Sequence, residues 1–464
     1  MSSSQALLRA PPFPWVKADT AAISRPFARE VAIDQTRLDR LIEAIRAARV
    51  GSDFWSTAPV EPTERAMLDV IAGAPDPGGV RAALGQALFA PAYRDPFTGA
   101  AIEVEAAVAI LAEWRRLIDA NRPIAAAAGM AWWKRDRIAH FLWNGGEPLF
   151  SDDVAALAAC GGSVAVWPSR APAGLAEAGI PLVRVEDGFI RSVGLGADLH
   201  PPLSIVVDQQ GIYYDPTHPS DLETILATRE FAPELLARAE ALRATIVARG
   251  ISKYGSTAPR KAAAPRTDRT ILVAGQVEDD ASVRLGGAGV AGNLDLLARA
   301  RVAEPGARIL FKPHPDVDAG HRVGRVPDTY LFEYADEIVR DEAMPSLLAR
   351  VDGVHVLSSL TGFEALLRGL EVTVHGQPFY AGWGLTRDLA APLPRRGRRL
   401  TLAELVAGTL ILYPRYIDPV TELPCPPEIL LDRLAAGWRP RTSWLIRARR
   451  LQGRLFKLFG KATS

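Results

Sequence analysis

The sequence predicts an α/β chain in which two Rossmann-like domains face a central cleft, with an N-terminal helical extension and a C-terminal basic helix. Three observations predict it. Short apolar runs alternate with helical patterns twice, first between about 125 and 250 and again from Ile271 to His375. A stretch rich in Lys, Ala, Pro and Ser, from Ser252 to Asp268, separates the two series and reads as a linker. Strands in both series end in turns loaded with groups that do chemistry, which places a site at their carboxyl ends.

The elements follow in order. Residues 1–120 form the helical extension: Leu38, Leu41, Ile42 and Ile45 fall at helical spacing, as do Val104, Val108, Leu111 and Trp114, and Pro-rich breaks stand at 59–62 and 75–77. The first Rossmann-like domain takes 121–265, with strands expected at Ser163–Trp167, Leu182–Val185, Ser204–Val207 and Ile212–Tyr214 and a long helix at Pro233–Ala248. The second takes 266–412, with strands at Ile271–Ala274, Ile309–Phe311, Gly353–Leu357 and Val372–His375. Helices at Asn293–Ala303, Met344–Arg350 and Gly362–Arg368 fill the gaps. Residues 413–464 are C-terminal helices ending in a basic amphipathic tail.

Composition narrows the function classes. The chain has 464 residues, enough for two or three domains, and 48% hydrophobic against 23% charged residues marks a folded protein. A net charge of +1 gives no global pull toward nucleic acid, which is not expected as a partner. Cys160 and Cys425, far apart in the chain, cannot build a disulfide framework or a zinc cluster. The first thirty residues lack a basic start followed by an apolar segment, and no run approaches membrane-spanning length, so the expected location is cytoplasmic.

An internal repeat runs across this order. Tyr93-Arg94-Asp95-Pro96-Phe97-Thr98 recurs 323 residues later as Tyr416-Ile417-Asp418-Pro419-Val420-Thr421. Gly85 matches Gly408, Leu88 matches Ile411 and Pro91 matches Pro414, while Trp114-Arg115 matches Trp438-Arg439 after one inserted residue. The spacing suits a whole two-domain module rather than a solenoid unit. Either two helix-Asp-Pro turns coincide by chance, or residues 55–120 are the tail of a preceding module whose body is absent.

Four motifs carry the chemistry. In Val185-Glu186-Asp187-Gly188-Phe189-Ile190-Arg191, Glu186 leaves a strand at the expected cleft, and Arg191 stands close enough to take an anionic substrate; a solvated turn capped by Asp187 is the plain alternative. The loop Gln276-Val277-Glu278-Asp279-Asp280-Ala281-Ser282 carries three successive acids, open to three readings: a magnesium site, a capped turn or a nucleophilic carboxylate. In Phe311-Lys312-Pro313-His314-Pro315, prolines on both sides restrict the backbone around an imidazole beside a lysine, an arrangement suited to a phosphate leaving group. Ser358 and Ser359 precede a helix whose first amides could receive a phosphate, and Glu364 follows one turn in, within reach of a ribose hydroxyl. Downstream, the Gly- and aromatic-rich stretch 376–384 is expected to shape a sugar or base pocket.

The order of these motifs resembles the capsule polysaccharide biosynthesis and export family, the KpsC-like retaining β-Kdo transferases, over about residues 125–440. Matching stretches are 186–196, 201–215, 276–282, 312–317, 358–369 and 378–386. The resemblance implies a GT-B architecture, CMP-Kdo as donor substrate, no cofactor and no metal. It also implies roles: Asp280 as nucleophile, Glu186 as acid/base, and His314 with Lys312 on the departing phosphate. Ser358, Ser359, Glu364, Gln276 and Ser282 would bind the donor, and Arg191 the substrate carboxylate or the acceptor. Family members of the two-module type carry tandem transferases, so this chain is similar to a second module, and synthesis of two alternating linkages by it is not expected.

The implied acceptor is an anionic, lipid-linked Kdo-glycolipid, with capsule export machinery as a further partner. From Arg439 to Lys461 there are eight basic residues and no acidic one, with Trp444, Ala448, Leu451, Leu455 and Leu458 at helical spacing. Such a helix suits the cytoplasmic face of an anionic membrane, giving a peripheral location at the inner membrane. Rival readings are a transferase for another CMP-nonulosonate, a non-catalytic export scaffold, or a magnesium-dependent phosphotransferase.

Overall fold

The computed structural model describes residues 7–25, 31–56, 79–190, 200–252 and 268–439, with short pieces at 67 and 255–256. Arg191, most of the 252–268 linker and the basic tail beyond Arg439 lie outside the described residues. The chain divides into two compact units. One comprises Met1–Val164, Pro172–Pro181 and Ile417–Cys425, the other Ala165–Ala171, Leu182–Tyr416 and Pro426–Ser464.

The second unit is organised by six parallel strands: β1 Thr270–Ala274, β2 Arg308–Lys312, β3 Glu337–Ile338, β4 Gly353–Val356, β5 Glu371–Val374 and β6 Arg387–Asp388. Their order across the sheet is 3-2-1-4-5-6, with every pair parallel. This is the doubly wound arrangement, in which the chain reverses its direction of travel between β1 and β4. The strands read as apolar runs because both faces are covered: all five residues of β1 and all four of β4 are buried. Helices Asn293–Ala303 and Leu360–Leu367 occupy the expected gaps. Val283, Leu296, Leu297, Ala300, Phe311 and Leu357 build one continuous core on the sheet.

The strands preceding the linker depart from a doubly wound pattern. Leu182–Asp187 pairs antiparallel with Ser204–Asp208, which pairs antiparallel with Pro414–Ile417. The reversal begins at Gly188, whose N–H donates to the Ser204 carbonyl at 3.0 Å. A Cβ at Gly188 would run into the Ser204 side chain, so the close return requires glycine there. The strand expected at Ile212–Tyr214 is instead a turn. The fully buried Asp208 collects the N–H groups of Gln210, Gly211 and Asp221, and the Tyr413 hydroxyl at 2.7 Å, which folds the chain back before another strand can form.

In the first unit, helices Gln35–Ala48 and Val104–Asn121 pack together, burying Leu38, Leu41 and Ile45 on one and Val108, Leu111 and Trp114 on the other. Trp114 is 2% exposed, and its indole N–H donates to the Pro424 carbonyl at 2.8 Å. Residues 121–164, grouped by sequence pattern with the segment to 265, belong to this unit. Asn121 explains the attachment: it is fully buried and its amide donates to the carbonyls of Phe141 and Trp143, each at 2.9 Å. No described helix is long and apolar enough to cross a membrane.

A histidine pair lies inside the parallel sheet. His355 on β4 and His375 after β5 are 1% and 5% exposed, with Nδ1 and Nε2 3.1 Å apart. Burial pushes each from the usual 6.5 down to about 4, against the opposing pull of Glu304 on His355. The folded chain therefore binds fewer protons than the unfolded chain between pH 4 and 6.5. Stability is complete above that window and falls as pH drops through it, by roughly 2–4 kcal/mol for the pair. Urea denaturation at pH 7.5 and pH 5 should show this loss, and the double change of His355 and His375 to Asn should flatten it.

Candidate functional site

The order reversal between β1 and β4 opens a crevice beyond the carboxyl ends of those two strands, where ligands of doubly wound sheets bind. Gln276 and Ser358 stand on its two sides. The Ser358 N–H donates to Gln276 Oε1 at 2.9 Å, and Gln276 Nε2 donates to Ser358 Oγ at 3.0 Å. The backbone of Gln276 is fixed in turn by Asn293, which accepts its N–H at 2.8 Å and donates to its carbonyl at 2.8 Å. Gln276, expected on the donor, thus uses its own amide to tie the two loops together. Ser358 keeps its hydroxyl proton available for a further acceptor.

The structure gives the three acids of the 276–282 loop separate tasks. Glu278 accepts the Asn293 N–H at 2.7 Å. Asp279 pairs with Arg322 at 3.1 Å on the surface. Asp280 caps helix Ala281–Gly286, with Oδ1 accepting from the N–H of Ser282 at 3.0 Å and from its hydroxyl at 2.7 Å. Ser282 is therefore spent on orienting Asp280. The other oxygen of Asp280 takes no hydrogen bond among the described residues and remains open to chemistry. Helix Ala281–Gly286 ends against the crevice, where a Cβ on Gly286 would lie near the Tyr214 carbonyl and the Ser358 side chain.

Glu186 stands near the end of strand Leu182–Asp187, at the register position opposite Val206. Tyr213 and Tyr214 feel both this carboxylate and that of Asp280. Burial raises both phenols well above their usual range, and the charges of Glu186 and Asp280 push each further up. The adjacent tyrosines thus stand within the fields of both carboxylates. Sequence reasoning passed over them, although two phenols beside a Gly211 turn and before Asp215 were the available signal. Tyr213 packs in a ring cluster with Phe189 at 4.8 Å and Phe379 at 5.7 Å, which holds the pair in place.

His314 lies at the end of β2. Its Nδ1 accepts the Asp316 N–H at 3.2 Å as the cap of helix Pro315–Asp318, which assigns the neutral ring's proton to Nε2. The ring lines a pocket with Phe311, Asn293, Gly324, Arg325 and Arg340. Asn293 thus joins this pocket to the Gln276 loop. Lys312 does not line it. Its ammonium is buried, donates to the Arg340 carbonyl at 3.2 Å, and is pulled below its usual range by burial, which the nearby acids Glu342, Asp341 and Asp318 only partly offset.

Ser359 caps helix Leu360–Leu367 by accepting the Thr361 N–H at 3.2 Å, and its carbonyl accepts the Tyr380 hydroxyl. Glu364 is 8% exposed, and its charge supports the guanidinium of Arg368, which burial pulls down. The aromatics of 376–384, expected around a pocket, are core: Tyr380 and Trp383 are fully buried, and Arg396 donates to the carbonyls of Pro378 and Ala381. Arg395 and Arg396 both pair with Glu223, the Arg395 contact at 2.6 Å.

Replacing Gln276 by Leu leaves the Ser358 N–H without its acceptor in a part-buried position, and should lower unfolding free energy by about 1–3 kcal/mol in urea titrations.

The profile of the family described as "Capsule polysaccharide biosynthesis protein" matches residues 163–416, which hold every described residue of this site. "Capsule polysaccharide modification protein LipA" of Neisseria meningitidis serogroup A is 43% identical over 344 residues, covering 71% of this chain and 48% of LipA. "Lipopolysaccharide-processing protein LpsZ" of Rhizobium meliloti is 46% identical over 244 residues, covering 52% of this chain and 55% of LpsZ. The chain thus spans about half the length of these curated relatives. Two solved structures of Thermosulfurimonas dismutans KpsC, a β Kdo 2,4 transferase and a β Kdo 2,7 transferase, are each 36% identical. They cover 67% of this chain and 98% of their own, with TM-scores of 0.58 and 0.55. A family profile spanning more than half the sequence and a 43% identical relative over most of it establish that this chain belongs to the capsule polysaccharide biosynthesis protein family.

Proposed function

We propose that the chain is a retaining glycosyltransferase of GT-B architecture that moves β-Kdo from CMP-Kdo onto a Kdo-containing, lipid-linked acceptor in capsular polysaccharide linker synthesis. The observation that carries the reading is Asp280, held on one oxygen by Ser282 and open on the other, at the head of a helix that ends against Tyr214 and the crevice of Gln276 and Ser358. Similarity to two β-Kdo transferase structures supports the choice of sugar.

Retention by double displacement needs a nucleophile and an acid/base. In the first step the open oxygen of Asp280 attacks the anomeric carbon of Kdo, and the bond to the CMP phosphate breaks with its electron pair leaving on phosphate. The N–H and hydroxyl of Ser282 hold the other oxygen of Asp280 and aim the carboxylate. His314 offers Nε2–H to the departing phosphate, and the Ser358 hydroxyl donates to it from the crevice. Arg325 adds positive charge in the pocket beside His314. In the second step the acceptor hydroxyl attacks the same carbon, Glu186 takes its proton, and the Asp280 carboxylate is released. Neither step requires a metal.

Asp280→Asn should reduce transfer by at least about a thousandfold while CMP binding, followed by calorimetry, persists. Glu186→Gln should stall the enzyme after the first step, and intact-protein mass spectrometry should then find one Kdo on Asp280. An adduct on another residue, or inverted product, overturns the assignment.

The basic stretch beyond Arg439, which lies outside the described residues, is proposed to hold the enzyme on the cytoplasmic face of the membrane where the lipid-linked acceptor resides. Flotation with vesicles containing anionic lipid should carry the full chain upward and leave a chain ending at residue 439 behind.

A further inference from the structure

The repeat found in the sequence extends, in the structure, far beyond its six residues. An offset of 323 carries helix Gly79–Phe89 onto the helical stretch 402–412, strand Ala92–Arg94 onto Pro414–Ile417, strand Ala101–Ile102 onto Pro424–Cys425, and the first residue of helix Val104–Asn121 onto that of Pro427–Ala435. Local contacts repeat with it. The Tyr93 hydroxyl donates to the Leu88 carbonyl at 2.8 Å, and the Tyr416 hydroxyl to the Leu410 carbonyl at 2.7 Å. Asp95 accepts the N–H groups of Phe97 and Thr98, and Asp418 those of Val420 and Thr421. Gly85 lies against Ile33 and Gly408 against Leu226, each too close for a side chain.

The correspondence continues upstream, where the sequences show no obvious match. Helix Gln35–Ala48 corresponds to helix Pro233–Ala248 at an offset of 201, so that buried Leu38, Leu41 and Ile45 match buried Ala239, Leu242 and Ile246. Arg49 and Gly250, at the ends of these helices, both take left-handed backbone with φ of 55° and 57°. Each helix carries one arginine that grips its partner helix with a two-pronged fork. Arg37 holds Glu105 with both contacts at 2.7 Å, and Arg238 holds Glu428 at 2.7 and 2.9 Å. Glu105 and Glu428 are themselves 323 apart. Ser24 pairs antiparallel with Tyr93 as Ser204 does with Tyr416, and the Ser24 and Ser204 hydroxyls donate to the carbonyls of Leu8 and Ile190.

What separates the copies is one excision. In the second copy, the stretch between Ile251 and Leu402 contains all six strands β1–β6, with Gln276, Asp280, His314, Ser358 and Ser359. In the first copy, only residues 51–78 separate the corresponding Val50 and Gly79.

We infer that residues 7–121 are a transferase scaffold whose nucleotide-binding half has been removed. Resting on the function proposed above, the chain then holds one centre and forms one kind of glycosidic linkage. Any second linkage in the saccharide then requires another nucleotide-sugar-dependent centre, which residues 7–121 do not supply.

The test uses the full chain with excess CMP-Kdo and a Kdo-primed lipid acceptor. Linkages in the product are read by NMR, and CMP stoichiometry by calorimetry. One linkage type and one CMP per chain are expected. Two linkage types, or two CMP sites per chain, would overturn the inference and leave the proposed function standing. Absence of both transfer and CMP binding would instead overturn the proposed function, and the inference with it.

Discussion

The candidate site depends on the paired hydrogen bonds between Gln276 and Ser358. They tie together the two sides of the crevice at the place in the parallel sheet where consecutive elements diverge, between β1 and β4. Strand order alone would leave two loops with separate motions. The side-chain amide, satisfied at both its oxygen and its nitrogen, makes them one structure, and Asn293 extends that structure to the pocket of His314. The capping of Asp280, the placing of Ser358 and the approach of Tyr214 all build on this frame.

A second constraint acts from beneath. Glu223, 5% exposed, is held by Arg395 and Arg396, and Arg396 also satisfies the carbonyls of Pro378 and Ala381. A buried carboxylate with two guanidinium partners is costly to disrupt, because removing either side leaves charge out of water. The 376–384 loop is thereby packed inward, with Trp383 and Tyr380 in the core. Its richness in aromatics reflects packing against Phe189, Tyr213 and Phe363, and its service to the site is to hold Tyr213 from behind.

Much of the second half was legible because its physics is local. Buried parallel strands are apolar runs of four or five residues, and helix Asn293–Ala303 begins and ends where its pattern does. Periodicity says less about pairing, so the antiparallel return at Gly188 was hidden: the alternation of Leu182–Asp187 is the same whichever way its neighbour runs. The turn at Ile212–Tyr214 read as a strand because its residues have strand propensity, and Asp208, four residues upstream, overrides it by drawing three amides onto one carboxylate. The repeat showed the same limit: its Asp-Pro turns are visible in the letters, while its paired helices are conserved only in burial and in the two arginine forks.

The sequence by itself determined which residues carry chemistry and in what order along the chain, since strand-ending turns bearing Glu186, Asp280, His314 and Ser358 are written in local composition. It also determined the α/β class. Only the tertiary structure decided how three adjacent acids divide their work, because Glu278, Asp279 and Asp280 are nearly equivalent as letters and differ in whether Asn293, Arg322 or a helix end stands opposite. It alone set Glu186 and Asp280, about ninety residues apart in the chain, within electrostatic reach of the same two tyrosines, Tyr213 and Tyr214. Electrostatic fields and hydrogen bonds act through space at a few ångströms, a distance that separation along the chain does not encode.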